Sequence, residues 1–423
     1  MCDEGGVGGC REEDGPALGM MTGRELPLYP GRRKRSERMT YDEMCSFEVL
    51  YQAYLNARKR KRKKPGTAQY EANALACTNK LSHILANDFY HPSKFEVFYV
   101  YEPKKRLIQA PAFVDKVVLH AVVDNILYDA ICKSFIRDNH ASQKGKGTHD
   151  GLYRLKWHMI DYYRKNGTAD GWVLKCDVRK FFASIDHEKM KPELKALLEK
   201  RGVDPRIYDL LCVYIDASEG LPLGYQTSQL LALMYLDEFD HMMKEKYRLR
   251  YYDRFMDDFC MIHPDKKFLQ NLLKEITAYM KSKGLELNEK TGIFPLRNGI
   301  DFLGFHSYLD DNGGVVQKLG KLGLERFKRA IRYWQVAYPT GEVTRDEIIV
   351  SFTGMDAHAA FGDTYSLRKK FAAQVGEIIG GKVPIHRKIN STRIVRAKRQ
   401  IREAQRLFKS KHKADGELHS AKS

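Results

Sequence analysis

The chain has 423 residues, 43% of them hydrophobic, enough for two or three domains around substantial cores. Lys and Arg total 72 against 54 acidic residues, a formal charge of +18 that points to a polyanionic partner, nucleic acid being the usual one. No apolar run approaches the roughly 18 residues of a membrane span, and no basic segment followed by an apolar stretch opens the chain. The expected setting is the cytoplasm, with no membrane partner.

Residues 1–38 are rich in Gly, acidic residues and Arg, without apolar periodicity, and read as a disordered leader; Met39 is a candidate start. From Thr40 the pattern turns helical, with Phe47, Leu50, Tyr51, Tyr54 and Leu55 at three- and four-residue spacing. This helix runs into seven consecutive cations, residues 58–64, and is expected to break at Pro65-Gly66. Such a run is usually a solvated face; in a nucleic-acid enzyme it contacts phosphates. A second helix carries Leu75, Leu81 and Leu85. Residues 95–101 alternate like a strand, a basic turn follows at 103–106, and residues 117–128 read as an apolar helix.

From Gly171 the organisation changes. Residues 172–177 form a short apolar strand ending on Asp177. A helix starts near Asp186, and a largely apolar one spans about 227–247. Residues 249–263 resemble a hairpin with Asp257-Asp258 at its middle. A helix over 267–283 places Phe268, Leu272, Ile276 and Met280 on one face, and strands near 285–287 and 300–305 close the unit. Strand, two helices, two strands, helix, strand is the order of a split βαβ sheet covered by helices on one side, so the expected fold class is α+β. The chain from about Leu319 reads as helical and increasingly basic, with a charged amphipathic tail over 393–413. Eight scattered cysteines without a C-x-x-C pair argue against a zinc site or a disulfide framework; Cys176 and Cys260 read as buried strand residues.

Asp177, Asp257 and Asp258 carry the chemical signal. Nucleotidyl transfer uses two divalent metals about 3.5–4 Å apart, which require hard oxygen ligands converging from different strands. A bare Asp-Asp pair is usually a polar turn. Here the pair lies between Tyr251-Tyr252-Asp253-Arg254-Phe255-Met256 and Phe259-Cys260-Met261-Ile262, apolar flanks that suit a buried hairpin presenting its tip to a cleft.

Phe255-Met256-Asp257-Asp258 resembles the Y-x-D-D box of reverse transcriptases, with Phe in place of Tyr. The stretch from Asp177 to His187 resembles the first palm motif of bacterial retroelement polymerases. The resemblance implies a right-hand polymerase with fingers, a split βαβ palm and a helical thumb. It divides the chain into a leader (1–38), N-terminal helices and fingers (39–170), palm (171–310), thumb (311–390) and basic tail (391–423). It makes Asp177, Asp257 and Asp258 metal ligands, with the Val178 carbonyl adding an oxygen, for two Mg2+ ions or Mn2+ as a substitute. Phe182 falls at the ribose gate, so the incoming nucleotide would be a deoxynucleoside triphosphate. Lys290 matches a lysine that protonates departing pyrophosphate. Phe302, Leu303 and Gly304 resemble the primer grip, and Lys104 and Arg106 the fingers residues that hold the triphosphate; an Arg fork suits phosphate. Residues 141–149 resemble a Gly/Lys fingers loop near the template, and residues 363–368 echo a thumb motif.

In Gly220-Leu221-Pro222-Leu223-Gly224-Tyr225-Gln226-Thr227-Ser228-Gln229, a Gly-rich turn opens an apolar helix, as close backbone approach to template and nucleotide requires. Leu223, Gly224 and Gln229 are its nucleotide-binding candidates. The Ser-Gln ending is similar to diversity-generating retroelement and group II intron-like enzymes. Leu223, where faithful enzymes carry Gln, implies error-prone copying. Template RNA and an RNA–DNA duplex are the implied partners, together with a small accessory protein. Intron-derived and phage-defence reverse transcriptases are alternatives; a palm-fold nucleotide cyclase and a non-catalytic RNA-binding protein are more remote ones. Lys116, where Arg is more usual, and the two terminal extensions depart from the family pattern.

Overall fold

The computed structural model describes residues 39–87, 89–101 and 105–386; the expected leader, the 393–413 tail and Lys104 lie outside them. The architecture is α+β with antiparallel sheets. N-terminal helices, among them Phe47–Ala57 and Phe113–Val122, share a large apolar core with the helices of the following unit. Pro65 does not end a helix, as the sequence suggested, but starts Pro65–Ala72 at its first position, where its missing N–H costs nothing. Between these helices rises a two-stranded antiparallel ribbon, β1 (Glu96–Val100) and β2 (Arg106–Ala110).

The central sheet comprises β3 (Trp172–Asp177), β4 (Tyr251–Phe255), β5 (Asp258–His263) and β6 (Gly292–Pro295), in the order β4-β5-β3-β6. Helices His187–Lys200 and Pro205–Ile215 connect β3 to the next part of the chain, and helix Lys266–Ser282 links β5 to β6, giving the expected split βαβ connectivity. Asp186 caps the first of these helices, accepting from the Glu188 N–H at 3.0 Å, where the sequence placed its start. β6 was not expected. The strand expected at 285–287 is reduced to a single bridge between Val178 and Leu287.

Strand alternation sorts the sheet's two faces. Leu174, Cys176, Phe259 and Met261 pack with Phe239, Leu272, Ile276 and Met280 on one side. Val173, Cys260 and Ile262 meet Leu155, Met159 and Tyr162 of helix Thr148–Asn166 on the other. The sheet is thus covered on both faces rather than one. Cys176 and Cys260 are buried strand residues, as expected.

A second antiparallel sheet follows, β7 (Ile300–Phe302), β8 (Phe305–Leu309) and β9 (Val315–Leu319), and the helical region expected from about Leu319 begins at Lys321. Helices Lys321–Ala337, Arg345–Ala359 and Tyr365–Ile379 form a separate core around Phe327, Phe352 and Phe371. The backbone of Asp363 pairs with Gln317 of β9, and a fully buried Arg368–Asp356 ion pair (2.7 Å) ties the last two helices together. None of the described helices is long and apolar enough to cross a membrane.

Candidate active site

The antiparallel register sets Asp177, the last residue of β3, directly opposite Asp258, the first of β5. Period-two alternation puts Lys175, Asp177 and Asp258 on one face. The Val178 N–H donates to the Asp257 carbonyl at 3.2 Å, closing the end of β3 onto the hairpin tip, and the Asn288 N–H donates to the Asp177 carbonyl at 2.6 Å. Met256, just before the aspartates, has φ +56°, a left-handed conformation that costs a non-glycine residue energy and must be held by its surroundings.

What holds it is Arg254, which the sequence reading missed. Its guanidinium, fully buried, donates from Nη1 to the Met256 carbonyl at 2.9 Å. The same group grips Asp240 in a two-point ion pair, Nε to Oδ1 at 2.7 Å and Nη2 to Oδ2 at 2.6 Å. Tyr252 and Asn139 also donate to Asp240, at 2.6 and 3.2 Å. On the opposite face of β4, Asp253 accepts from His158 Nδ1 (2.6 Å) and His140 Nε2 (2.9 Å), and the other His140 nitrogen meets Asp150 at 2.9 Å. Burial opposes both charges, yet the two rings hold Asp253 well below the usual carboxylate range, and Asp150 and Asp253 raise His140. The hairpin that carries Asp257 and Asp258 is therefore anchored from both sides by buried ion pairs. Nothing in their spacing along the chain announces them.

The metal-ligand atoms of Asp138, His158 and Asp253 lie within 4.8 Å of one another, the one such cluster of three among the described residues. Asp138 is already matched by Arg154 and Lys244, each at 2.6 Å, and Asp253 by the two histidines, so their charge is neutralised without an ion. The sequence-predicted aspartates differ. Burial raises the Asp257 carboxyl, Asp177 adds to the rise, and Arg106 opposes it. Burial pushes Asp258 up to about 6 against the pull of Lys175, with Asp177 and Asp257 adding to the push. Lys175 Nζ lies 3.3 Å from Asp258 and also donates to the Asp301 carbonyl, yet Asp258 Oδ1 is buried without a hydrogen-bond partner. Three clustered carboxylates with one lysine beside them carry an excess of negative charge that fits a divalent cation.

That geometry sets a pH-dependent metal response. Asp258's folded value lies above its ordinary 3.8, so the native state keeps a proton there that the unfolded chain has lost. This contribution to stability is lost as pH rises through the window from about 3.8 to about 6. Added Mg2+ should therefore raise Tm more at pH 7.5 than at pH 5, as read by differential scanning fluorimetry against metal-free controls. Equal shifts at the two pH values would contradict the assignment.

Asp177, Asp258 and Lys290 line a cleft of about 670 Å3 together with Phe302, Leu303 and Gly304. The turn between β7 and β8 is built on positive φ at Leu303 (+52°) and Gly304 (+85°). Phe302 is buried, with the Lys175 ammonium 5.8 Å from its ring centre. The Lys290 N–H donates to Asn288 Oδ1 at 3.1 Å.

The Gly220–Gly224 loop docks on two backbones. Gly220 has φ +59°, and a Cβ there would meet the Phe182 carbonyl at 2.6 Å; the Leu221 N–H donates to that carbonyl at 2.7 Å. A Cβ on Gly224 would meet the Gln109 carbonyl at 2.7 Å, while the Gln109 N–H donates to the Leu223 carbonyl at 3.0 Å. The loop thus joins β2 to the Phe182 turn, so these glycines serve chain packing. Gln229 accepts from Ser142 of the Gly/Lys loop at 2.6 Å. Lys146 of that loop turns inward, donating to the Ile136, Arg137 and Asn139 carbonyls, and burial lowers it to about 8. Its role is to close the loop.

With this geometry in place, residues 101–307 match the family Reverse transcriptase (RNA-dependent DNA polymerase). This segment, just under half of the chain, is what is similar to a reverse transcriptase domain. The matched segment holds the split βαβ sheet within an α+β fold. The chain is similar to the solved telomerase of Candida albicans in complex with a TWJ fragment of telomeric RNA, at 12% identity and TM-score 0.42, over 72% of this chain and 64% of that one. Apo telomerase from Candida tropicalis aligns at 12% identity and TM-score 0.44, over 68% of this chain and 59% of that one. The chain thus spans about three fifths of these structures' length. No curated protein matches it.

Proposed function

We propose that this chain is a reverse transcriptase that copies RNA into error-prone cDNA within a diversity-generating retroelement, using the cleft at Asp177 and Asp258. The observation that carries the polymerase site is the pairing of Asp177 with Asp258 across adjacent strands, with Asp258 Oδ1 buried and accepting no hydrogen bond though the Lys175 ammonium lies 3.3 Å away. Asp177, Asp257, Asp258 and the Val178 carbonyl would hold two Mg2+ ions, or Mn2+ in their place. When bound, such ions supply Lewis-acid activation of the attacking 3′-hydroxyl and neutralise triphosphate charge.

The remaining work falls to side chains. Arg106, whose charge is felt at Asp257, grips the triphosphate of the incoming deoxynucleotide together with Lys104. Phe182 closes the sugar side of the pocket against a 2′-hydroxyl. Lys290, on the wall of the same cleft, gives its proton to departing pyrophosphate. Phe302, Leu303 and Gly304 hold the primer end, and Gly224 and Gln229 shape the pocket next to the ribbon. Residues 39–170 act as fingers, 171–310 as palm and 311–390 as thumb. The basic surface takes template RNA and the growing RNA–DNA duplex through backbone contacts, with a small accessory protein as a further partner.

Leu223 and the Ser228-Gln229 ending favour the diversity-generating setting over an intron-derived or phage-defence one. An apolar side chain at Leu223 removes a hydrogen bond next to the nucleotide, which loosens discrimination. Leu223→Gln should lower misincorporation opposite template adenines several-fold relative to other template bases, as read by sequencing cDNA from a defined RNA. Unchanged error rates would contradict the reading. Near-identical template and variable repeats beside the gene would support it independently.

A further inference from the structure

Lys175 stands two residues before Asp177 on β3, so strand alternation turns it to the same face as Asp177 and Asp258. Among the described residues it is the one cation in ion-pair contact with Asp177, Asp257 or Asp258. The contact is loose. Its ammonium lies 3.3 Å from each Asp258 oxygen and donates to Oδ2 alone, whereas a charge-assisted bond normally closes to about 2.7–2.9 Å. By contrast, the buried Asp138, Asp240 and Asp356 are each met by a cation at 2.6 or 2.7 Å. A second set of partners lies on β7, where Lys175 donates to the Asp301 carbonyl and its ammonium is 5.8 Å from the centre of the Phe302 ring. Lys175 also lines the cleft that holds Asp177, Asp258 and Phe302, and Lys290 and Lys321 add two further positive charges to its wall. A flexible lysine stem carries its point charge between such partners without any shift of β3.

We propose that Lys175 gates metal loading. In the free chain its ammonium holds the place of a cation at Asp258; when a primer strand enters the cleft, it leaves Asp258 for a phosphodiester. The carboxylates then take the divalent ion tightly, so primer and metal bind cooperatively. This gate rests on the reading of Asp177, Asp257 and Asp258 as metal ligands and of Phe302, Leu303 and Gly304 as the primer grip. One ammonium offsets only one of three carboxylate charges, and it sits beside the Asp258 oxygen that accepts no hydrogen bond. An anionic strand in the same cleft draws it off readily, because the contact it gives up is long and the Asp301 carbonyl stays within its reach. By linkage, the affinity that the primer lends the ion is the affinity that the ion lends the primer. Lys175 acts through Asp258 and is in that sense a positioning residue.

The test is Mn2+ binding to the full chain at pH 7.5, followed by the EPR signal of the free ion, without and with a DNA primer annealed to RNA. The primer ends in a dideoxynucleotide, so it supplies no 3′-hydroxyl ligand and is not extended. The parent's Kd should fall about tenfold when the primer–template binds, the size of one charged hydrogen bond released. Lys175→Met should bind Mn2+ about tenfold tighter than the parent without nucleic acid, and gain about twofold or less from the primer–template. Lys290→Met removes a charge from the same cleft without touching Asp258, and should shift either Kd by about twofold at most. Lys175→Arg keeps the charge and can close on both Asp258 oxygens, so it should bind the ion more weakly than the parent. If the methionine variant does not fold, the arginine variant decides alone, and binding as tight as the parent's overturns the gate. Lys175→Met affinity no higher than the parent's overturns it as well, and with a lowered Tm in chelator reduces Lys175 to a strap between β3 and β7. So does an undiminished primer effect in that variant, or equal tightening by Lys290→Met, which would make the effect one of general charge. A parent that takes up no Mn2+ in either state refutes the metal site and the gate with it, whereas Mn2+ binding indifferent to Lys175 removes the gate and leaves the metal site standing.

Discussion

Asp258→Asn is expected to lower RNA-templated nucleotide incorporation by about 10³-fold or more, roughly 4 kcal/mol of transition-state stabilisation, while making the metal-free protein more stable. The two effects have one cause. Asp258 is held among Asp177 and Asp257 in a buried setting that pushes its carboxyl up to about 6, and one oxygen has no hydrogen-bond partner. At neutral pH the folded chain carries that charge at a cost which only a cation offsets. An amide of the same shape removes the charge and with it the metal ligand. In chelator at pH 7.5 the variant's Tm should rise by roughly 2–4 °C, the shift that about 1 kcal/mol gives in a domain of this order. Retained activity, or a lower Tm in chelator, would contradict the assignment of Asp258 to a metal site.

The second large effect is expected at Arg254. Arg254→Met leaves Asp240 buried without its partner and should cost about 3–5 kcal/mol of stability in urea unfolding. The double variant Arg254→Met/Asp240→Leu removes both charges and should recover part of that loss, the remainder reflecting Tyr252 and Asn139, which lose their acceptor. Activity should not recover. Nothing in the double variant holds the Met256 carbonyl, which in the parent fixes a left-handed residue immediately before Asp257. Misplacement by about an ångström at reacting groups costs on the order of 10²-fold, so kcat should stay down by about that factor with KM for the nucleotide little changed. Arg254→Lys keeps one charge for Asp240 but cannot bond Asp240 twice and Met256 once, so it should fold and still be slow. Full recovery of both stability and kcat in the double variant would reduce Arg254 to a packing role.

Local patterns made the strands that carry the aspartates legible. β3 is an apolar run ending on an acid, and β4–β5 show apolar residues on both sides of Asp257-Asp258, so the sequence pattern alone places both aspartate sites at strand ends. Strand β6 could not be read that way. Gly292, Ile293, Phe294 and Pro295 lack alternation and are ordered by pairing with β3. The ion pairs that brace the hairpin were equally hidden, because Asp240 and Arg254, or His140, His158 and Asp253, become partners only when distant segments pack. Lys146 shows the converse error. A Gly/Lys loop suggests solvent and phosphate, but here the lysine satisfies three backbone carbonyls that would otherwise be left without donors. The glycines of the 220–224 loop were rightly singled out for close approach, and what approaches is the chain's own backbone at Phe182 and Gln109.

The most direct test of the account is extension of a DNA primer annealed to RNA, with deoxynucleotides and Mg2+, by the parent chain and by Asp257→Ala/Asp258→Ala. The account predicts template-length cDNA from the parent, none above background from the variant, and none from either protein in chelator. Extension by the variant at the parent's rate would contradict it.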